Sequence, residues 1–236
     1  MAPTNPLNPP RIRSWRALRL LLVLVGLRLW FTTQSMLGQR QFSGDRPSDL
    51  LLDWTSPINV YLHLNPTVAD ALLIVSSFII DVLGFFLLAW SIFGPSIRPF
   101  LGLLVLFTLR QVCQVLCALP APHGMIWDQP HLPAALGGFA FPSALVTYKV
   151  ENDFFFSGHT AIAVYGAIEV GRLGRRWFCL AVAVALFEIA AVVVLRAHWT
   201  MDVFAAITTA LCAAYFAEWA APFVDRSLRA RTRIVE

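Results

Sequence analysis

Two histidines and an aspartate stand at the ends of two apolar runs in the C-terminal third of the chain. His159 closes the group Ser157-Gly158-His159. His198 lies 39 positions further on, four residues before Asp202. Between the histidines lie the apolar runs 160–170 and 177–195, joined by the basic turn Gly171-Arg172-Leu173-Gly174-Arg175-Arg176. That spacing suits a helical hairpin that crosses a bilayer and returns, at about 20 residues per crossing. Such a hairpin brings both histidines to one face. Residues four apart share a side of a helix, which puts Asp202 beside His198. Ionisable groups gathered at the ends of apolar helices mark a catalytic centre.

These residue types suit phosphoryl chemistry. One histidine can attack phosphorus while another protonates a departing alkoxide. His198 is the better nucleophile, because Asp202 can accept from its ring N–H, aim the other nitrogen and stabilise the cation formed. His159 is then the general acid, and afterwards the base that deprotonates the acceptor. Either histidine taken singly could equally be a satisfied core or interface residue; the three residues together argue for a site. Phosphate needs donors. Ser157 offers a hydroxyl, Gly158 allows close approach, and a helix start there points amide N–H groups outward. Arg110 can supply a two-pronged guanidinium contact. Arg196 is a second phosphate candidate or an interfacial residue. The two histidines and Asp202 could ligate zinc, but an arginine-lined phosphate site needs no metal. No metal and no cofactor is expected.

Ser157-Gly158-His159-Thr160 followed by His198-Trp199-Thr200-x-Asp202-Val203 resembles the paired C-terminal motifs of the sphingomyelin synthases. It also resembles those of the plant phosphatidylcholine:diacylglycerol cholinephosphotransferases. Both groups are related to the type 2 phosphatidic acid phosphatases (PAP2). The similarity covers about 150–205 and is looser over 98–122. In that second stretch Thr108-Leu109-Arg110 and Leu119-Pro120-Ala121-Pro122 are similar to an arginine-bearing helix and its terminal Leu-Pro-x-Pro in the sphingomyelin synthases. The resemblance implies a PAP2-like helical bundle and a lipid-headgroup transferase with a phosphohistidine intermediate. The implied donor is a membrane phospholipid of the phosphocholine or phosphoethanolamine class, and the acceptor is diacylglycerol or ceramide. It implies the same roles for His159, His198 and Asp202.

Two alternatives are weighed against transfer. A PAP2-type phosphatase would use water as the acceptor. Classical phosphatases carry Lys-x6-Arg-Pro, but here Arg98-Pro99 follows Ser91. They also carry Ser-Arg-x5-His-x3-Asp, but here Ala191 and Val192 fill the first two positions. Arg110 can replace the lost charge. The closer match departs too: Val150-Glu151-Asn152-Asp153 stands where the sphingomyelin synthases have Cys-Gly-Asp, and the triple phenylalanine 154–156 resembles the plant enzymes more. Phe154, Phe155, Phe156, Trp199 and Trp127 either enclose a quaternary ammonium or anchor the chain at the interface. A transporter or structural membrane protein is the non-enzymatic alternative.

The elements that position these residues are apolar. The chain has 236 residues, is 58% hydrophobic and carries a net charge of +4. Its 17 arginines and one lysine cluster at the ends of apolar runs, which argues against nucleic-acid binding and for a membrane protein. The four cysteines, at 113, 117, 179 and 212, lie within apolar runs and show no disulfide framework. The pattern predicts an all-α polytopic fold with six transmembrane helices, over 17–37, 67–93, 100–119, 154–169, 177–195 and 200–223. A basic tail over 1–16, a membrane catalytic domain over 17–224 and a basic tail over 225–236 follow. The first apolar run reads as an uncleaved span rather than a signal peptide. Residues 38–66 read as a polar connection broken by Pro57 and Pro66, and 120–153 as a long loop. Asp81 within the second span calls for a partner, such as Arg28. Arginine-rich and acidic connections alternate, which puts both termini in the cytoplasm and the histidines on the extracytoplasmic side. A bacterial inner membrane is the expected location.

Overall fold

The computed structural model describes Arg28, Thr32 and residues 48–116, 121–126 and 155–232. The chain divides into two units, Met1–Ser48 and Asp49–Glu236. In the first, the Thr32 hydroxyl donates to the Arg28 carbonyl at 2.8 Å, one helical turn back. Most of the expected first span and most of the loop 120–153 lie outside the described residues.

The second unit is all-helical among the described residues. Its helices are α1 (Leu50–Trp54), α2 (Ser56–Leu64), α3 (Pro66–Phe93), α4 (Arg98–Leu116), α5 (Gly158–Gly171), α6 (Arg175–Val194) and α7 (Thr200–Thr232). Three of these are long and apolar enough to cross a membrane: α3, α6 and the stretch Thr200–Ser227 of α7. The six expected crossings are therefore represented by three among the described residues. At 14 residues, α5 is roughly 21 Å long, short of a hydrocarbon core of about 30 Å. The last helix runs to Thr232, past the expected end at 223.

The polar connection 38–66 is not a loop over its second half. It forms α1 and α2, and its prolines sit where helices tolerate them. Pro57 and Pro66 each fall in the first turn of a helix, where the missing N–H has no partner to lose. The Asn59 amide then ties α2 inward, donating to the Gly124 carbonyl at 3.0 Å and the Val194 carbonyl at 2.9 Å. Gly124 has a φ of 72°, and a side chain there would press on Asn59.

Helix α3 buries one stripe: Ala69, Leu73, Ser76, Ser77, Ile80, Asp81, Gly84 and Leu87. Steps of three and four keep these residues on one side. The last helix buries alanines in the same rhythm, at 206, 210, 213, 214, 217 and 221. Small side chains let helices approach closely, which suits a setting where water supplies no driving force between them. Around this stripe Leu87, Leu103, Leu106, Phe156, Ala161 and Tyr165 complete a core shared by α3, α4, α5 and α7. At the far end of α5 from His159, Arg98 grips the Glu169 carboxylate with Nε at 3.1 Å and Nη2 at 2.9 Å. Arg172 stands 3.6 Å from Glu169 and bonds Glu218 at 2.8 Å. This chain of charges fastens α4, α5 and α7 together.

Candidate active site

Each motif is placed by a helix terminus. Ser157 is the N-cap of α5, its Oγ accepting from the Thr160 N–H at 3.3 Å. That is the usual work of a serine before a helix. The Ser157 N–H donates in turn to the Asp202 carbonyl at 3.3 Å, so a backbone bond joins the two motifs. Just before it, Phe156 holds a φ of 74° and is buried in the core. Its carbonyl accepts from Arg110 Nε at 3.3 Å. A β-carbon on residue 158 would lie 3.5 Å from that same nitrogen. Gly158 thus leaves the guanidinium close against the start of α5. His159, in the first turn, is 6% exposed and has both His198 and Arg110 in its electrostatic neighbourhood.

The second motif departs from its expected setting. His198 is not on a helix: it lies in the bend between α6 and α7. The Ala197 N–H reaches the Val192 carbonyl at 2.9 Å and the Arg196 N–H reaches Val193 at 3.1 Å. This is a Schellman stop, with Arg196 at a φ of 58° in the place that glycine usually takes. Arg196 is buried, and its Nη2 donates to the Leu52 carbonyl of α1 at 2.6 Å. Its guanidinium is thus held against α1.

Asp202 is in the first turn of α7, fully buried, with Oδ2 3.7 Å from His198 Nδ1. The two remain neighbours, though not through a shared helical face. The same Oδ2 accepts from the Trp199 N–H at 3.0 Å, the reach-back half of a capping box. Its Oδ1 has no hydrogen-bond partner among the described residues.

The structure brings together Arg110, Ser157, Gly158, His159, His198 and Asp202. It keeps Arg98 away, at the Glu169 end of α5. Among the aromatic candidates, Phe155 and Phe156 pack in the core and Trp199 against a cluster around Val192; Trp127 and Phe154 lie outside the described residues. No metal-ligating group of three or more His, Cys, Asp or Glu occurs among the described residues.

One residue escaped the sequence reading. Asp49 caps α1, with Oδ1 accepting from Leu51 and Leu52 at 3.2 and 3.3 Å. It also accepts from the Thr200 N–H at 2.7 Å and the Thr200 hydroxyl at 2.6 Å. Aspartate before Leu50-Leu51-Leu52 is a readable helix-start signal. Its second bond, to the start of the helix that carries Asp202, leaves no local trace.

The chain thus buries two histidines and a carboxylate at adjoining helix ends, with the half-buried Arg110 of α4 reaching the start of α5. Comparison narrows the class. The chain belongs to the AtPDCT1/2 family, the phosphatidylcholine:diacylglycerol cholinephosphotransferases, whose family model matches residues 48–219. That is a family of lipid phosphocholine transferases. The match begins one residue before Asp49 and includes all six site residues. No curated protein and no solved structure matches the chain.

Proposed function

We propose that the protein moves phosphocholine between phosphatidylcholine and diacylglycerol through a phosphohistidine on His198. The observation that carries this reading is the packing of Arg110 against Gly158, beside His159, with His198 next to Asp202. His198 Nε2 attacks the phosphorus of phosphatidylcholine, and the bond from phosphorus to the glycerol oxygen breaks. His159 gives its proton to that oxygen, releasing diacylglycerol. A second diacylglycerol then returns a proton to His159 as its hydroxyl attacks phosphorus, and His198 leaves. Asp202 holds the His198 ring and balances its charge. Arg110, the Ser157 hydroxyl and the first N–H groups of α5 receive the phosphoryl oxygens.

The chemistry would operate within a six-span, PAP2-like bundle, with both termini cytoplasmic and the site at the extracytoplasmic face. A site opening into the bilayer favours a lipid hydroxyl over water, because the acceptor is already concentrated there. The sequestration of Arg98 by Glu169 also weighs against a PAP2-type phosphatase in which that arginine holds phosphate.

The test uses purified protein in liposomes with headgroup-labelled phosphatidylcholine and unlabelled diacylglycerol of distinct chain length. Phosphatidylcholine carrying the new chains is expected, and His198→Ala should abolish it. Ceramide and phosphatidylethanolamine run in parallel as alternative acceptor and donor. Phosphate released from phosphatidic acid without headgroup exchange would replace transfer by hydrolysis.

A further inference from the structure

An open groove of about 470 Å³ lies between α3 and α6, toward the ends of these helices away from the histidines. Its walls are apolar: Phe78, Val82 and Phe86 from α3, Val170 and Leu173 from the end of α5, and Trp177, Leu180 and Val184 from α6. The volume falls in the range of small-ligand pockets. Its depth decides what can fill it. At 1.5 Å per residue, Val184 lies roughly 15 Å and Trp177 roughly 25 Å from the α6 end that leads to His198. On α3, Phe78 and Phe86 lie roughly 18 and 30 Å from Pro66. The hydrocarbon core is about 30 Å thick. The groove therefore belongs to the half of the bilayer opposite the site, beyond the natural depth of a chain whose headgroup sits at His198.

The rim supplies the charge. Arg175 and Arg176 immediately precede Trp177 and are exposed. They occupy the first turn of α6, which holds no acidic residue and whose cap, Gly174, offers no side-chain acceptor. Among the described residues, nothing lies within 4 Å of where a Gly174 side chain would start. Two cations at the positive end of a helix dipole oppose it, and an anion there would relieve both. We propose that this groove is a binding site for an anionic phospholipid, one acyl chain along α3 and α6 and the headgroup phosphate on Arg175 and Arg176. A zwitterionic headgroup brings its own cation to the same arginines and fits less well.

Trp177 reports on the site directly. The full chain is reconstituted in phosphatidylcholine bilayers containing increasing fractions of phosphatidylglycerol with brominated chains, which quench tryptophan on contact. The Trp177 signal is the difference between the native protein and Trp177→Phe. Half-quenching should come at a much lower mole fraction of brominated phosphatidylglycerol than of brominated phosphatidylcholine. The preference should fall roughly fivefold for each arginine neutralised in Arg175→Gln and Arg176→Gln. Equal curves for the two lipids would overturn the proposal, as would a preference that survives the double variant. Absence of quenching by either lipid would also overturn it and assign the face to protein, with crosslinking to distinguish the chain's own apolar run 17–37 from a second copy.

Discussion

Asp202 performs two tasks with one carboxylate, and substitution can separate them. Asparagine can still accept from the Trp199 N–H, but it brings no charge to His198. Asp202→Asn should therefore keep its thermal midpoint close to native while transfer falls about 10²–10⁴-fold, the usual weight of a proton-handling unit. An Asn variant with native turnover, measured in the same liposome assay, would reduce Asp202 to a capping residue. Arg196 combines tasks in another way. Its backbone takes a left-handed conformation that costs a non-glycine residue about 1–2 kcal/mol, while its side chain grips Leu52. Arg196→Gly and Arg196→Ala both lose the grip, but only glycine relieves the backbone. The Gly variant should be more stable than the Ala variant by about 1 kcal/mol in chemical denaturation. The reverse order would mean that the left-handed turn opens once the side chain is gone.

Helix ends carry the site, and this decides what could be read in advance. The pairing of the two motifs was legible, because the length of the hairpin between them brings its two ends together. The extent of α3 was legible from its run of apolar residues, expected over 67–93 and found over Pro66–Phe93. Helices α1 and α2 were not, since Pro57 and Pro66 read as breaks when they are first-turn residues. The bend that carries His198 falls between the expected spans 177–195 and 200–223, but its left-handed stop was not legible, because an arginine rather than a glycine occupies it. Asp49 makes the same point across elements. It accepts from donors at the starts of both α1 and α7. Asp49→Ala should cost about 1–2 kcal/mol of stability, as the loss of a cap does, and should lower turnover by loosening the His198 bend. Thr200→Val, which keeps the N–H bond and removes only the hydroxyl, should lose less of both. Equal activity of Asp49→Ala and the native chain would leave α1 without a part in the site.

Across the whole unit, the two ends of α5 are held by different chemistry. Backbone bonds and the Arg110 contact hold the His159 end; the Arg98–Glu169–Arg172–Glu218 chain holds the other. Ten residues separate His159 from Glu169, roughly 15 Å along the axis. Glu169→Gln should thus destabilise the fold by about 2 kcal/mol, the scale of a lost charged hydrogen bond. The folded fraction should keep its native KM and kcat. A change in kcat at unchanged stability would show instead that the charge chain reaches the site.

The bond between Asp49 and Thr200 spans 151 positions of chain. At 5–20 residues per second, a ribosome takes roughly eight to thirty seconds to make the residues between them. Throughout that interval Asp49 is without its donors on Thr200, and the histidine of the first motif is made before that of the second. His198 and Asp202 can meet only once the last helix has begun, and the first turn of that helix then reaches back to Asp49. On the proposed mechanism, a nascent chain leaves the lipids around it untouched until its last helix has supplied Asp202 to His198.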